Sequence, residues 1–182
     1  MNRIQKLYFM IFHFQIISQE CKNFQLEVEL SQRHTFFDFH SIIQKSLGYE
    51  SHQLASFFIP DKRGLKEKEI SMLDLGMNGA AYYIMQKTNL TDLIHTEGQK
   101  LIYTFDFLND RSLLIELTDI IMEKNLNDPL VTLKLGDSPV QVLGEDVDVL
   151  DQESLDLQEE KVYMLFGELE DYTEIFGEME DF

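Results

Sequence analysis

Cysteine and positive charge are both scarce in this 182-residue chain, and each shortage excludes a class of protein. The single cysteine, Cys21, excludes an internal disulfide framework and any Cys-x-x-Cys metal or redox site. A chain that uses no disulfides is typical of a reducing compartment, so we expect a cytoplasmic protein. The apolar run near the amino terminus, Leu7–Phe12, is far shorter than the roughly 18 residues that indicate a membrane-spanning helix. We therefore expect no membrane association.

The charge balance is strongly acidic, with 33 Asp and Glu against 15 Lys and Arg and a net charge of −18. Such a chain is repelled by phosphate backbones, so direct nucleic-acid binding is not expected. The excess lies at one end, because residues 1–143 contain 18 acidic and 14 basic residues whereas residues 144–182 contain 15 acidic residues and one lysine. We predict a folded domain over residues 1–147 and an acidic C-terminal tail over residues 148–182.

Hydrophobic residues make up 44% of the sequence, and their spacing predicts an α+β fold. The clearest element is a helix that begins with a capping box of Thr35 and Asp38 and ends at Gly48. A short second helix is predicted over Leu90–Thr96. Because most links between the predicted strands are short, we expect a mostly antiparallel sheet that the main helix covers. Strands are predicted over residues 7–17, 24–30, 54–59, 82–85, 101–107, 113–122 and 129–135, with a loop beginning at residue 65.

The first half of the chain resembles a known family. The residues concerned are Thr35–His40, Ile43, Leu47–Tyr49, Ser51–Leu54 and Phe57. They are similar to the opening of the plasmid pRiA4b open-reading-frame-three-like family, which carries Thr-Leu-x-x-Leu-His, then Phe-Gly-Trp, His-Leu and Phe.

A second family signature is an aromatic-Asp-Phe-Gly-Asp-x-Trp-x-His hairpin, and Phe105–Phe107 matches its beginning. Leu108, Asn109, Arg111 and Leu113 stand where the family has Gly, Asp, Trp and His. Of a third signature, Pro-Pro-Glu-Asp, only the Glu-Asp half is present, as Glu145–Asp146. The resemblance spans residues 7–147 and implies a small α+β domain. It also implies a link to mobile DNA elements, where some members sit beside transposases, and it implies no catalytic activity.

His40, His52 and Asp106 stand at family positions and are the candidate site of the domain. One interpretation brings them together as a metal site or a His–Asp acid–base pair. The alternative is that His52 orders a turn and His40 makes buried hydrogen bonds. No nucleophile elbow, phosphate loop or metalloprotease motif is present in the sequence, and we expect no catalytic residue, metal or cofactor.

The concentrated positive charge of the domain consists of Lys62, Arg63, Lys66 and Lys68. Glu67 and Glu69 alternate with it, so a solvated loop is favoured over a phosphate contact. Docking of the acidic tail onto these residues is a further alternative.

The acidic tail contains a repeat, because Phe166–Tyr172 (FGELEDY) recurs as Phe176–Phe182 (FGEMEDF). Its aromatic residues Phe166, Tyr172, Phe176 and Phe182 are candidate binding residues. The segment could fold on a basic, apolar groove of a partner, or form a helix that packs on its own domain or on a sister subunit. Low-complexity drift is a third interpretation.

These features favour a non-catalytic interaction module that binds an unidentified protein partner through its tail. The alternatives are a hydrolytic or nucleic-acid-processing enzyme that uses His40, His52 and Asp106, and an accessory protein of a mobile DNA element. The sequence does not indicate an oligomeric state.

Overall fold

The computed structural model describes residues 9–21, 23–50, 53–74, 76, 82–122 and 124–143. Within these ranges the chain forms eight strands, one α-helix and one 3-10 helix. In chain order they are β1 (Met10–Ser18), β2 (Gln25–Ser31), α1 (Phe36–Leu47), β3 (Ser56–Pro60), β4 (Lys66–Ser71), β5 (Tyr82–Ile84), the 3-10 helix (Leu90–Asp92), β6 (Lys100–Asp106), β7 (Arg111–Met122) and β8 (Leu130–Leu135). The predicted boundary between domain and tail, at residues 147 and 148, lies outside the described residues.

The strands form one sheet in the order β5-β4-β3-β6-β7-β1-β2-β8. Six of the seven pairings are antiparallel, and β4 with β5 is the parallel one. The α+β class and the mostly antiparallel sheet are therefore as the sequence predicts. Among the described residues no helix has both the length and the hydrophobicity that crossing a membrane requires.

Helix α1 begins and ends at the capping residues that the sequence predicts. The Thr35 hydroxyl accepts a hydrogen bond from the Asp38 backbone N–H at 3.2 Å, and the Asp38 carboxylate accepts one from the Thr35 N–H at 2.8 Å. Together they satisfy two N–H groups that the first turn leaves free. Gly48 ends the helix with φ of 75°, a left-handed conformation in which a side chain is strained.

The buried face of α1 packs on the centre of the sheet. Phe39 is fully buried and stacks on Phe14 of β1 and Phe57 of β3, with ring centroids 4.6 and 5.1 Å apart. Phe36, Ile43 and Leu47 continue this face along the helix. We call the side of the sheet that bears α1 the helix face. Aromatic packing on the helix face is the main hydrophobic core.

The opposite face of the sheet carries a smaller apolar cluster. It consists of Ile17, Ile102 and Leu114, with Phe58 packed against it. The Lys66 ammonium lies 5.1 Å from the centre of the Phe58 ring and also pairs with Asp110 at 2.6 Å. The start of β4 therefore lies close to the β6–β7 turn.

Two local predictions were wrong. Residues 66–71 form strand β4 rather than a loop, because their backbone pairs with β3 although the side chains are mostly charged. Lys66 and Lys68 thus lie on a strand. The second predicted helix is only the 3-10 helix Leu90–Asp92, whose start is fixed by a hydrogen bond of 2.8 Å from the Asn89 N–H to the Asp92 carboxylate.

Candidate functional site

His40 lies on the buried side of α1 and is hydrogen-bonded to β6. Only 3% of its surface is exposed, and its Nδ1 lies 2.8 Å from the hydroxyl of Tyr103. Gln44, one turn further along, donates a hydrogen bond from Nε2 to the same hydroxyl at 2.6 Å. Which of the two groups donates in the contact between His40 and Tyr103 depends on the tautomer of the ring. His40 therefore makes the buried hydrogen bond that the structural interpretation expects.

Burial also determines the protonation of these groups. It lowers the pKa of His40 to about 4. It raises the pKa of Tyr103 well above its ordinary value, although the hydrogen bond from Gln44 acts in the other direction. Both side chains are neutral near pH 7, so neither is matched to general acid–base catalysis there. Oε1 of Gln44 is buried without a hydrogen-bond partner among the described residues.

Asp106 ends β6 and organises the turn that follows. Its carboxylate accepts hydrogen bonds from the backbone N–H groups of Leu108 and Asn109 at 3.1 and 3.2 Å, and from Asn109 Nδ2 at 2.8 Å. Burial acts to raise the pKa of Asp106, but the hydrogen bonds from Asn109 and Arg111 outweigh it, and the pKa lies below its ordinary value. Asp106 is therefore an ionised turn residue.

The candidate site residues are not seen to form one centre. His40 meets β6 at Tyr103, whereas Asp106 lies three residues further along the strand, a rise of about 10 Å. His52 lies outside the described residues. Within the described part of the chain, no three His, Cys, Asp or Glu side chains are grouped as a metal would require. The site that would unite all three residues stays a prediction.

Arg111, the first residue of β7, is the centre of a buried polar cluster. Its side chain is 8% exposed and forms a two-pronged ion pair with Glu20, from Nη2 to Oε2 at 2.5 Å and from Nε to Oε1 at 2.8 Å. Nη2 also donates to the Val140 carbonyl at 2.6 Å, and Nη1 to the Gln141 carbonyl at 3.4 Å. The guanidinium lies 5.0 Å from the centre of the Phe105 ring. We call this set of contacts the Arg111 clamp.

The segment that the clamp holds is also attached to the end of α1. The Tyr49 hydroxyl donates to the Pro139 carbonyl at 2.7 Å. Gln141 and Glu50 bond twice, with the Glu50 N–H donating to Gln141 Oε1 at 2.7 Å and Gln141 Nε2 donating to the Glu50 carbonyl at 2.9 Å. The chain is therefore fixed over Pro139–Gln141, directly before the acidic segment that begins at residue 144.

Exposed apolar side chains lie on the two segments that meet at Arg111. Leu108, in the turn that Asp106 organises, is 97% exposed, and its neighbour Phe107 is 47% exposed. Val140 and Val142 of the held segment are 55% and 62% exposed. We call these four residues the apolar end; they belong to two segments that both contact Arg111, through the Asp106 carboxylate and the Val140 carbonyl. Apolar side chains grouped at one end are a feature of binding surfaces.

His13 forms a second polar cluster that the sequence does not reveal. It lies on the opposite face, since Phe12 and Phe14 on either side of it belong to the core. Nδ1 is 2.8 Å from the Thr118 hydroxyl, and Nε2 is 3.3 Å from the Thr132 hydroxyl and 3.5 Å from Glu27 Oε2. Both threonines are the extra residues of β-bulges, in β7 and in β8. His13 thus fixes two irregularities of the sheet.

The remaining candidate residues are the basic cluster and the aromatic residues of the tail. Lys66 pairs with Asp110, as described above, and Arg63 pairs with Asp61 at 3.4 Å. The basic cluster is therefore already partly neutralised by the domain itself. The tail residues lie outside the described part of the chain; they are Phe166, Tyr172, Phe176 and Phe182.

Comparison with known proteins places the chain in a family. The family model described as "Plasmid pRiA4b ORF-3-like protein" matches residues 19–150. The chain belongs to this family. The matched range contains both sides of the Arg111 clamp, because Glu20 lies near its beginning and Pro139–Gln141 near its end. The match to the family model therefore includes the segment that precedes the acidic tail.

A solved structure supports the fold. A crystal structure of a protein of unknown function, MM3350 from Methanosarcina mazei Go1, superposes with a TM-score of 0.57. It is 17% identical in sequence, and the match covers 92% of this chain and 86% of that protein. At this identity the likeness concerns the fold alone. A search of functionally curated proteins gives no match.

Proposed function

We propose that this chain is a non-catalytic, cytoplasmic binding module whose acidic-aromatic tail captures a protein partner with a basic and apolar surface. The observation that carries the proposal is the Arg111 clamp. It fixes Val140 and Gln141 to the domain immediately before the acidic segment. A segment that served only as a loose terminus would not need a buried arginine to fix its root.

The clamp defines the geometry of capture. It holds the root of the 39-residue segment 144–182 beside the apolar end, so a partner bound by the tail is brought against Leu108 and Val142. Attaching a partner-binding segment to the domain at one end raises the effective concentration of a bound partner at the neighbouring surface. The apolar end would then supply a second, weaker contact.

The composition of the tail suits this role. The four aromatic residues of the repeat offer anchoring area, and aromatic side chains are enriched among the residues that dominate binding energy. The surrounding carboxylates keep the segment solvated and attract a basic partner over several ångströms. Phe166 and Phe176 occupy equivalent positions of the two repeats, so the tail presents the same unit twice.

The state of His40 supports a binding module over the enzyme alternative. Its ring is buried, neutral and bonded to Tyr103, and Asp106 is bonded to its own turn. A hydrolytic mechanism would need at least one of these groups directed to a substrate with a pKa near neutrality.

The proposal is tested by capture from cell extract with immobilised full-length protein. The test variant replaces Phe166, Tyr172, Phe176 and Phe182 with Ala. We expect the bound partner to be lost, because the anchoring area is removed while the charge is unchanged. The control variant changes an equal number of apolar tail residues outside the repeat to Ala, namely Val149, Leu150, Leu155 and Leu157, and should retain the partner.

With the partner purified, the salt dependence gives a second readout. If charge steers the encounter, raising the ionic strength slows association much more than it speeds dissociation. Equal partner recovery by the full-length chain and the aromatic variant would contradict the proposal, and so would an equal loss in the aromatic variant and the control variant.

A further inference from the structure

Strand β8 is an edge of the sheet, and among the described residues no strand pairs with its outer side. The other edge, β5, is three residues long and runs parallel to its neighbour, whereas β8 has six residues and an antiparallel neighbour. Alternate backbone N–H and C=O groups of β8 point away from β2 and have no strand to bond among the described residues. Edge strands are usually protected by shortness, proline or several charges. Within β8 the one charged residue is Lys134.

The side chains of β8 alternate in an unusual order because of the bulge at Thr132. Val131 packs on the main core and the Lys134 ammonium reaches the Ser46 carbonyl of α1 at 2.7 Å, so both are on the helix face. Thr132 reaches His13 on the opposite face. Leu130, Leu133 and Leu135 pair with Glu29, Glu27 and Gln25, which alternate with the core residues of β2 and hence also face that side. Residues 131 and 134 therefore lie on the helix face, and residues 130, 132, 133 and 135 lie on the opposite face.

This order reads the same in both directions along the strand. In an antiparallel pair, residues directly across from one another have side chains on the same face. Two copies of β8 related by a two-fold axis, with Leu130 across from Leu135 of the second copy, satisfy that condition at all six positions. Without the bulge, a six-residue strand would alternate strictly, and this register would place opposite faces against each other.

The chemistry of the pairs is also compatible. Leu130 and Leu135, which are 45% and 49% exposed, would cover each other at both ends of the pairing. Lys134 would lie across from Val131 of the second copy, so no like charges are directly opposed. We propose that β8 is a dimerisation edge and that its occupant is a second copy of this chain, which extends the sheet to sixteen strands.

The effect of salt on affinity distinguishes this interface from the proposed tail–partner contact. Each copy has a net charge of −18, so the two copies repel each other at low ionic strength and screening favours the dimer. The tail–partner contact is an attraction between opposite charges and weakens under the same conditions. A dimer that strengthens with salt is thus distinct from tail-mediated self-association through the basic residues.

The mass of the full-length chain in solution is the first test. Sedimentation equilibrium should give a mass of about 43 kDa, twice the 21.4 kDa of one chain. Leu130→Lys combined with Leu135→Lys sets lysines across from each other and should weaken the dimer at least about tenfold. Both leucines are exposed, so the circular dichroism spectrum should be unchanged, and so should the thermal midpoint at concentrations at which both proteins are single chains. Leu108→Lys, at an exposed leucine elsewhere, is the matched control and should leave the dimer intact.

Cysteine cross-linking tests the register itself. In a Cys21→Ser background, a mixture of Leu130→Cys and Leu135→Cys proteins should form a disulfide-linked dimer on mild oxidation, because these positions face each other. Either protein alone should not. A single-chain mass at concentrations up to about 100 µM would overturn the proposal. So would a dimer that both lysines leave unchanged, cross-linking by one variant alone, or β8 found paired with a different protein.

Discussion

Replacing Arg111 with Met measures how much the Arg111 clamp stabilises the domain. Met has a similar length and no hydrogen-bond donor, so the change removes both bonds to Glu20 and the bond to the Val140 carbonyl. Removing one partner of a buried ion pair costs about 3–5 kcal/mol, because the other charge is left desolvated. Glu20 keeps 22% of its side-chain exposure and can recover some hydration, so we expect a loss of about 3 kcal/mol in the free energy of unfolding.

Two further variants separate charge from geometry. Arg111→Lys keeps the positive charge but cannot form the two-pronged contact, and we expect a smaller loss of about 1–2 kcal/mol. Glu20→Gln combined with Arg111→Met should cost less than the sum of the single changes, since the uncompensated charge is then absent.

Urea unfolding followed by circular dichroism gives the free energies, and an unchanged slope confirms that only stability has altered. Hydrogen exchange over residues 137–143 reports the segment directly and should accelerate in Arg111→Met. A loss below about 0.5 kcal/mol, together with unaltered exchange in this segment, would show that Arg111 does not fix residues 139–141 to the domain.

Three further predictions concern the core, the acid response and nucleic acid. Phe39→Ala should cost about 3–5 kcal/mol in urea unfolding because the fully buried ring stacks on two others, and a loss below about 1 kcal/mol would be incompatible with this packing. Since the pKa of His40 falls to about 4 on folding, the unfolded chain binds a proton between about pH 6.5 and pH 4 that the folded chain does not. The stability due to neutral His40 is therefore present above about pH 6.5 and falls by at most about 3 kcal/mol as the pH drops through this window, and His40→Gln should lack this component. Duplex DNA should bind the full-length chain weakly at physiological salt in fluorescence anisotropy, and tight, sequence-specific binding would reverse the ranking of functions.

Features that depend on near neighbours in the chain can be predicted from this sequence. Helix α1 is an example, because Thr35, Asp38 and Gly48 fix its ends within the helix itself and its apolar spacing fixes its buried face. The β1–β2 and β6–β7 hairpins are also short-range features. Strand β4 is different: its Lys-Glu-Lys-Glu side chains carry no strand signal, and it forms because a backbone partner, β3, is available.

The polar clusters could not be predicted because their members are far apart in sequence. His13 bonds to Thr118 and Thr132, which are 105 and 119 residues away, and Arg111 bonds to Glu20, which is 91 residues away. A charged or titratable residue within an apolar strand was the available signal in both cases. It indicates that a partner is needed for burial, but not which one. Family resemblance led instead to His40 and Asp106, whose contacts are with the core and with a turn.

We expect the domain to fold by itself and the tail to recognise the partner. The most direct measurement is the urea unfolding of a chain that ends at residue 157, compared with the full-length protein. We predict the same cooperative transition, with a midpoint and slope that agree within error, because the strands and α1 lie upstream of the deletion. Loss of the cooperative transition would show that residues 158–182 are part of the core, and the aromatic repeat would then be packing rather than recognition.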